Sequence, residues 1–384
     1  MSGREPIPLF RAVVPEAAQA RAATALASGW IGYGPECRAL EQAFTRGRGG
    51  CALATTNCTA ALHLVGRALA AAGPGGEIIV PSLSFVASGM AFAEAGLVPV
   101  VAGVRDDDLT LDVAAAEAAI TPRTRALLVV HLYGQRSADI DRLRALADRR
   151  GIALIEDCAH RVDLLDAQPP LGDYACYSFN AVKELPCGEG GLVWSRDRAS
   201  ESFLRAASNL GLAIDTVERA ATLRHGDYAF EATGGLKFRM SDLAAAVVNG
   251  GIPSLAATRA KRRALIERYA RLLEPLAPAV RPLLRRDDDS WLMAVVRVEA
   301  GQRDAIRATM ADDGVATSVH YPSLARHPRF GRDLPGAGCD DADREIVTLP
   351  TWIGLSSADQ QRVVDALARA LDGASARGAE RLGR

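Results

Sequence analysis

Between residue 51 and about residue 195, short apolar runs alternate with stretches of helical periodicity. The runs are Cys51–Ala54, Glu77–Val80, Val98–Val101, Ala126–His131, Ile152–Ile155, Tyr174–Tyr177 and Gly191–Trp194. Helical patterns lie between most of them, as at 58–72, 84–95 and 138–150. Strands that are apolar on both faces and separated by helices predict an α/β fold: a mostly parallel sheet covered on each side. Ligands of such sheets gather at the carboxyl ends of the strands. Thr55, Ser84, His131, Asp157 and Ser178 fall at or just past those ends.

The flanks read differently. Residues 12–48 predict two helices around the glycine-rich, aromatic turn Gly29–Pro35, where Trp30 and Tyr33 are either punctuation or pocket wall. Residues 197–250 look helical with a polar insertion near 213–235, and a long helix starts at Ser241 and passes 265, disturbed at Gly250–Pro253. The last hundred residues predict a strand at Trp291–Val298, a helix at Arg303–Ala311, a short strand at Ala316–His320 and a closing helix at 357–371. The expected organisation is a large α/β domain at 1–250, a smaller α+β domain at 251–372 and a flexible tail at 373–384.

The 384 residues are enough for two domains, and the 49% hydrophobic and 24% charged content is ordinary for a globular protein. Lys plus Arg is 45 against 46 for Asp plus Glu, so global charge gives no case for nucleic acid or an anionic membrane. No apolar run reaches the roughly eighteen residues a bilayer span needs. Residues Met1–Pro6 lead into no apolar secretory core. The seven cysteines form no C-x-x-C pair, which argues against a zinc site or a disulfide framework and predicts a reducing cytoplasm.

Candidate chemistry centres on two short stretches. Tyr177-Ser-Phe-Asn-Ala-Val-Lys183 is followed by Gly188-Glu-Gly-Gly191, and Leu154-Ile-Glu-Asp157-Cys-Ala-His160 ends an apolar strand in a carboxylate and an imidazole. Most lysines are surface residues. Lys183 has apolar neighbours and a glycine cluster that lets backbone come close. A free lysine is neutral in only about one part in a few thousand at pH 7, so an imine-forming lysine needs desolvation or a nearby cation. Asp157 could be a cap or a metal ligand, but Glu156 points to the opposite face of a continuing strand. A lone carboxylate facing a protonated ring nitrogen at ~4 Å attracts it by roughly 4 kcal/mol at an effective dielectric near 20. Such a pair would hold pyridoxal phosphate between amine and acid. His160 would bond the ring oxygen, or else is a satisfied packing histidine. Thr55–Ala60 opens a helix, which is a cap or an anion seat, and Ser178 could add a hydroxyl to the same phosphate.

In this order the stretches resemble the pyridoxal-phosphate sugar aminotransferases of the DegT/DnrJ/StrS type, of aminotransferase fold type I. The resemblance runs from about residue 8 to 372. It rests on Gly29–Pro35, Asn57–Leu64, Val80–Ala87, His131–Gln135, Glu156–His160, Tyr177–Gly191, Phe238–Leu243 and Val319–Pro322. It implies that Lys183 carries the cofactor and shuttles protons, Asp157 pairs with the pyridine nitrogen and His160 contacts the ring oxygen. It implies also that Phe85 stacks on the ring, and that Cys58 and Thr59 amides with Ser178 hold the phosphate. The implied enzyme is a cytoplasmic homodimer with shared active sites, taking an amino group from glutamate or glutamine to a keto-sugar, nucleotide-linked, in amino-sugar or antibiotic biosynthesis. Trp30, Tyr33, Arg239, His320 and Tyr321 are candidates for the substrate side. The chain departs from the pattern at Lys237, where asparagine is usual in the loop that reaches the neighbour's phosphate, at Cys58 (glycine), Val182 (threonine) and Gly103 (aspartate). The rival readings are a cyclitol aminotransferase on the same scaffold, a sugar dehydratase (which would carry histidine in place of Lys183), a non-catalytic cofactor-binding homologue, and an α/β binding module without cofactor.

Overall fold

A computed structural model describes the chain except residues 1–4, 72, 74, 167–168, 215–216, 218–228, 233, 284, 331–341 and 383–384, and gives 375–382 as backbone. Much of the polar insertion read near 213–235 therefore lies outside the described residues.

Seven strands form the main sheet: β1 Cys51–Thr55, β2 Glu77–Pro81, β3 Val98–Ala102, β4 Thr124–Val130, β5 Ala153–Cys158, β6 Tyr174–Ser178 and β7 Gly191–Ser195. Their spatial order is β1-β7-β6-β5-β4-β2-β3, and β7 alone runs against its neighbours. Both faces are buried, as the apolar runs demand. Along β6, Cys176 packs with Leu62, Val65 and Phe92, while Ala175 and Tyr177 pack with Phe44 and Val248. Along β5, Ile155 joins the first group and Leu154 a third with Leu143 and Leu146. Helices Cys58–Ala70 and Ala87–Glu94 therefore cover one face. Helices Pro35–Thr45, Asp242–Gly251 and Ile140–Arg150 cover the other.

The register aligns the strand ends that matter. Thr55 and Ser178 both pair with Gly191, and Asp157 pairs with Val130 and Cys176. One edge of the sheet thus gathers residues far apart in sequence.

A second sheet, β8 Arg281–Pro282, β9 Ala294–Arg297 and β10 Ile346–Leu349, is antiparallel. Its core draws on helices Leu255–Leu273, Arg303–Asp312 and Ser357–Leu382, and on Ile7 near the start of the chain. The long helix after Ser241 breaks where expected. It stops at Gly251, tightens through Ile252–Ser254 and resumes at Leu255, because Pro253 offers no N–H.

Three boundaries differ from the reading above. Only Ala294–Arg297 of Trp291–Val298 joins the ladder. Trp291 has φ 60°, and the N–H groups of Ser290 and Met293 go to Gly134 and Tyr133 instead. Ala316–His320 makes one bridge, Ser318 with Thr348, because Ala316 gives its N–H to Ile7. The closing helix runs to Leu382, past the expected 371, and buries Ala374. Alanine, arginine and glutamate dominate that extension, and their helix propensity outweighs two glycines.

Helix Glu16–Ala27 lies against helix Asp242–Gly251 at closest approach by Gly250, where a Cβ would stand 2.5 Å from Ala18 Cα. Gly250→Ala is expected to cost about 1–3 kcal/mol of stability by overpacking, read from denaturant titration. An unchanged midpoint would show that the two helices separate freely.

Candidate active site

The 179–190 segment is a tight loop closed on itself. Phe179 and Ala181 give their N–H groups to Gly190 and Gly188, Lys183 gives its own to Asn180, and Cys187 returns one to Phe179. Gly188 sits at φ 95°, which an L side chain would strain. This loop carries Lys183 up to the end of β5. Burial there pushes the lysine amine down to about 8, with the charge of Arg262 assisting and the fields of Asp157 and Cys58 opposing. A lysine so placed is neutral in a far larger fraction near pH 7 than a free one.

Asp157 is 4% exposed. Ser88 Oγ donates to its Oδ2 at 2.9 Å, Ala159 N–H donates to its Oδ1 at 3.0 Å, and Cys58 Sγ lies 3.9 Å from the same oxygen. Ser84 Oγ donates in turn to Ser88 at 2.7 Å. Burial raises the Asp157 carboxyl above its ordinary range, while these donors and the Lys183 charge pull it down. Such an acid gains from one more cation in its pocket. Glu156 faces the other way, as strand alternation requires, and bonds His131 Nε2 at 2.7 Å.

His160 accepts the Tyr133 N–H on Nδ1 at 3.0 Å, so the ring proton sits on Nε2 and points to Tyr321 Oη at 3.1 Å. Burial holds this imidazole well below its usual pKa, aided by Lys183 and His320. It is a neutral ring with one N–H to give. Tyr321 also meets the Phe85 ring at 5.2 Å between centroids, and Phe85 is 51% exposed. His320 bonds Thr348 through Nδ1 at 2.9 Å, and burial lowers it to about 4.

Asn57 caps the helix that starts at Cys58, accepting the Ala60 N–H at 2.8 Å. The amides of Cys58 and Thr59 have no carbonyl behind them within the helix. Gly191 packs on this turn so closely that a Cβ would come within 2.3 Å of Asn57. Ser178 accepts Asn180 N–H at 3.4 Å and keeps its hydroxyl proton to give.

The remaining candidates form a second group. Arg239 bridges Thr55 at the end of β1, and its guanidinium lies 5.7 Å from the Tyr33 ring. Tyr33 gives its hydroxyl to Glu41 at 2.8 Å, and Trp30 gives its indole N–H to the Tyr33 carbonyl at 2.9 Å. Lys237 is exposed and makes a single isolated bridge with Asn209. The structure thus joins Lys183, Asp157, His160, Cys58, Phe85, His320 and Tyr321, and sets Tyr33 with Arg239. Ser88, Tyr133 and Glu184 also touch the site and were not read from sequence. For Ser88 the only signal was its place in the first turn of helix Ala87–Glu94, just past the strand-end Ser84.

These residues fit pyridoxal phosphate. A buried acid awaits a cation, a depressed lysine stands beside it, one neutral imidazole N–H points inward, an aromatic face is exposed, and a helix start offers free amides. Among the described residues, His131, Glu156 and Cys158 could hold a metal. The His131 ring and the Glu156 carboxylate are already engaged, accepting the Ser137 and Gly172 N–H groups.

Fold and site together define a pyridoxal-phosphate-dependent aminotransferase of fold type I. The model of the DegT/DnrJ/EryC1/StrS aminotransferase family matches residues 14–368, and the chain belongs to that family. It is similar to the aminotransferase TlmJ of Streptoalloteichus hindustanus, with 28% identity over 96% of this chain and 100% of that one, and a TM-score of 0.87. DesV of S. venezuelae shares 30% identity over 95% and 98% of the two chains at a TM-score of 0.81. The putative sugar aminotransferase Spr1654 of Streptococcus pneumoniae, solved in its PMP form, shares 25% identity over 96% and 100% at 0.86.

Cofactor capture by the apoprotein is expected to speed up as pH rises through about 8, where Lys183 loses its proton. Stopped-flow absorbance in the near-visible would follow it. A rate that is flat across that region would separate Lys183 from capture.

Proposed function

We propose that this chain moves an amino group from glutamate or glutamine to a keto-sugar, nucleotide-linked, in amino-sugar biosynthesis, and works as a homodimer. The observation that carries the reading is the buried Lys183 amine, its pKa brought down to about 8, beside a buried Asp157 with three donors of its own.

Bound pyridoxal phosphate supplies a carbonyl carbon that accepts amines and a protonated ring that stores an electron pair. The chain does the rest. Asp157 stays ionised and keeps the ring nitrogen protonated. His160 gives its Nε2 proton to a hydrogen bond on the ring oxygen. Phe85 covers one ring face. The Cys58 and Thr59 amides and the Ser178 hydroxyl hold the phosphate at the positive end of a helix. The Lys183 amine would take the proton from the donor's Cα and hand it back as general base and acid.

Lys237 would reach the partner's phosphate as a point charge. Around it Leu210, Ile214, Phe230 and Leu236 are 53%, 37%, 73% and 48% exposed, and a second copy would cover them. Trp30, Tyr33, Arg239, His320 and Tyr321 would face the sugar. The relative TlmJ is described as an aminotransferase and Spr1654 as a putative sugar aminotransferase, which supports a sugar acceptor here.

Labelled glutamate offered with nucleotide-linked keto-sugars should yield labelled amino-sugar. Lys183→Ala should abolish transfer while keeping the fold, and Asp157→Asn should slow it by roughly a thousandfold, the equivalent of about 4 kcal/mol. Transfer to cyclitol ketones alone would replace the sugar reading, and full activity of Lys183→Ala would end it.

A further inference from the structure

Glu184 follows Lys183 directly and is 4% exposed. Its carboxylate is the hub of a small network. Oε2 accepts the Val162 N–H at 2.6 Å, and Oε1 accepts Arg259 Nε–H at 3.1 Å. Arg259 also donates to the Val162 carbonyl. One turn along the same helix, Arg262 donates to the Lys183 carbonyl at 3.4 Å and is itself 7% exposed. Val162 lies two residues past His160. The two oxygens of one carboxylate therefore tie the lysine's loop to the segment that carries Asp157 and His160. They tie it as well to helix Leu255–Leu273, part of the second sheet's core.

A surface salt bridge would contribute little. This one is buried, so its partners are fixed in place and its charge is felt by neighbours. The groups facing the Lys183 amine are Asp157 at the end of β5, Cys58 on helix Cys58–Ala70, Arg262 on helix Leu255–Leu273, and His160 and His320. Arg262 is the permanent cation among them. Glu184 is the carboxylate that offsets it, and Arg259 is the second guanidinium beside it.

We propose that Glu184 is a positioning residue for amino transfer: its carboxylate sets the stance of Lys183 against Asp157 and offsets the two guanidiniums behind the lysine. The proposal rests on the reading of Lys183 as the cofactor-bearing amine. Glu184 touches no reacting atom. It acts through the lysine's backbone and through the local field.

The charge half of this role predicts opposite shifts for two substitutions, and the positioning half a loss of turnover without a shift. Glu184→Gln keeps an acceptor for Val162 but strips the negative charge, leaving Arg259 and Arg262 unbalanced. The pH midpoint of the cofactor's near-visible absorbance should then fall by about one unit, because an added net positive charge disfavours the proton on the nitrogen that joins lysine and cofactor. Arg262→Met removes a like charge and should raise the midpoint. Glu184→Asp restores charge without reach, so its midpoint should stay near that of the unaltered holoenzyme while kcat drops and KM holds.

Absorbance titration of the holoenzyme and the three variants tests this, with circular dichroism confirming that each is folded. Opposite shifts for Glu184→Gln and Arg262→Met support the proposal. Unmoved midpoints, or shifts of the same sign, overturn it and leave Glu184 a residue of the fold alone. Should Glu184→Gln fail to fold, Glu184→Asp decides: a reduced kcat at unchanged KM and midpoint supports the proposal, and an unchanged kcat overturns it. The unaltered protein is the control for the underlying reading: without a cofactor band there, that reading fails before any variant is compared.

Discussion

An isolated carboxylate buried against apolar strands is costly, and Asp157 is such a group. Much of the architecture around it is a response to that cost. A serine relay from Ser84 through Ser88, one backbone amide and a thiol aim donors at it, and a lysine is folded in from another strand end. None of these is the cation the pocket suits best. A pyridinium nitrogen would complete the set, and the lysine's aldehyde partner lies on that same ring. In the proposed reading the acid would set where the cofactor sits as well as how its ring is charged.

Sheet register is what makes the meeting possible. Thr55, Ser178 and Gly191 share one level, and Asp157 stands two strands from β7. The antiparallel β7 starts at Gly191 just where helix Cys58–Ala70 begins, and only a residue without Cβ fits between them. Each strand end contributes one function, while the strands themselves are plain apolar core.

The fold was legible because its signals are local. The seven apolar runs fell within a few residues of seven observed strands, and Pro253 announced its own break. Lys183 and Asp157 stood out as candidates for the same reason, one beside a glycine cluster and the other closing an apolar run, and the structure brings the two together. What escaped was whatever depends on distant partners. Ser88 earns its place from Asp157, 69 positions away, and Glu184 from Arg259, 75 positions away. The strand β10, four residues running directly on from the one-turn helix Ala342–Glu345, was invisible, and β8 has only two. Trp291 to Met293 looked like a strand because they are apolar, yet their partner is the Tyr133–Gly134 loop rather than a neighbouring strand.

The chain carries three lysines, 183, 237 and 261, among 45 basic residues. That scarcity makes one measurement unusually clean. Borohydride reduction of the cofactor-loaded protein, followed by peptide mass mapping, should place the pyridoxyl group on Lys183 and on neither of the others. Label at Lys237 or Lys261, or no label at all, would contradict the account.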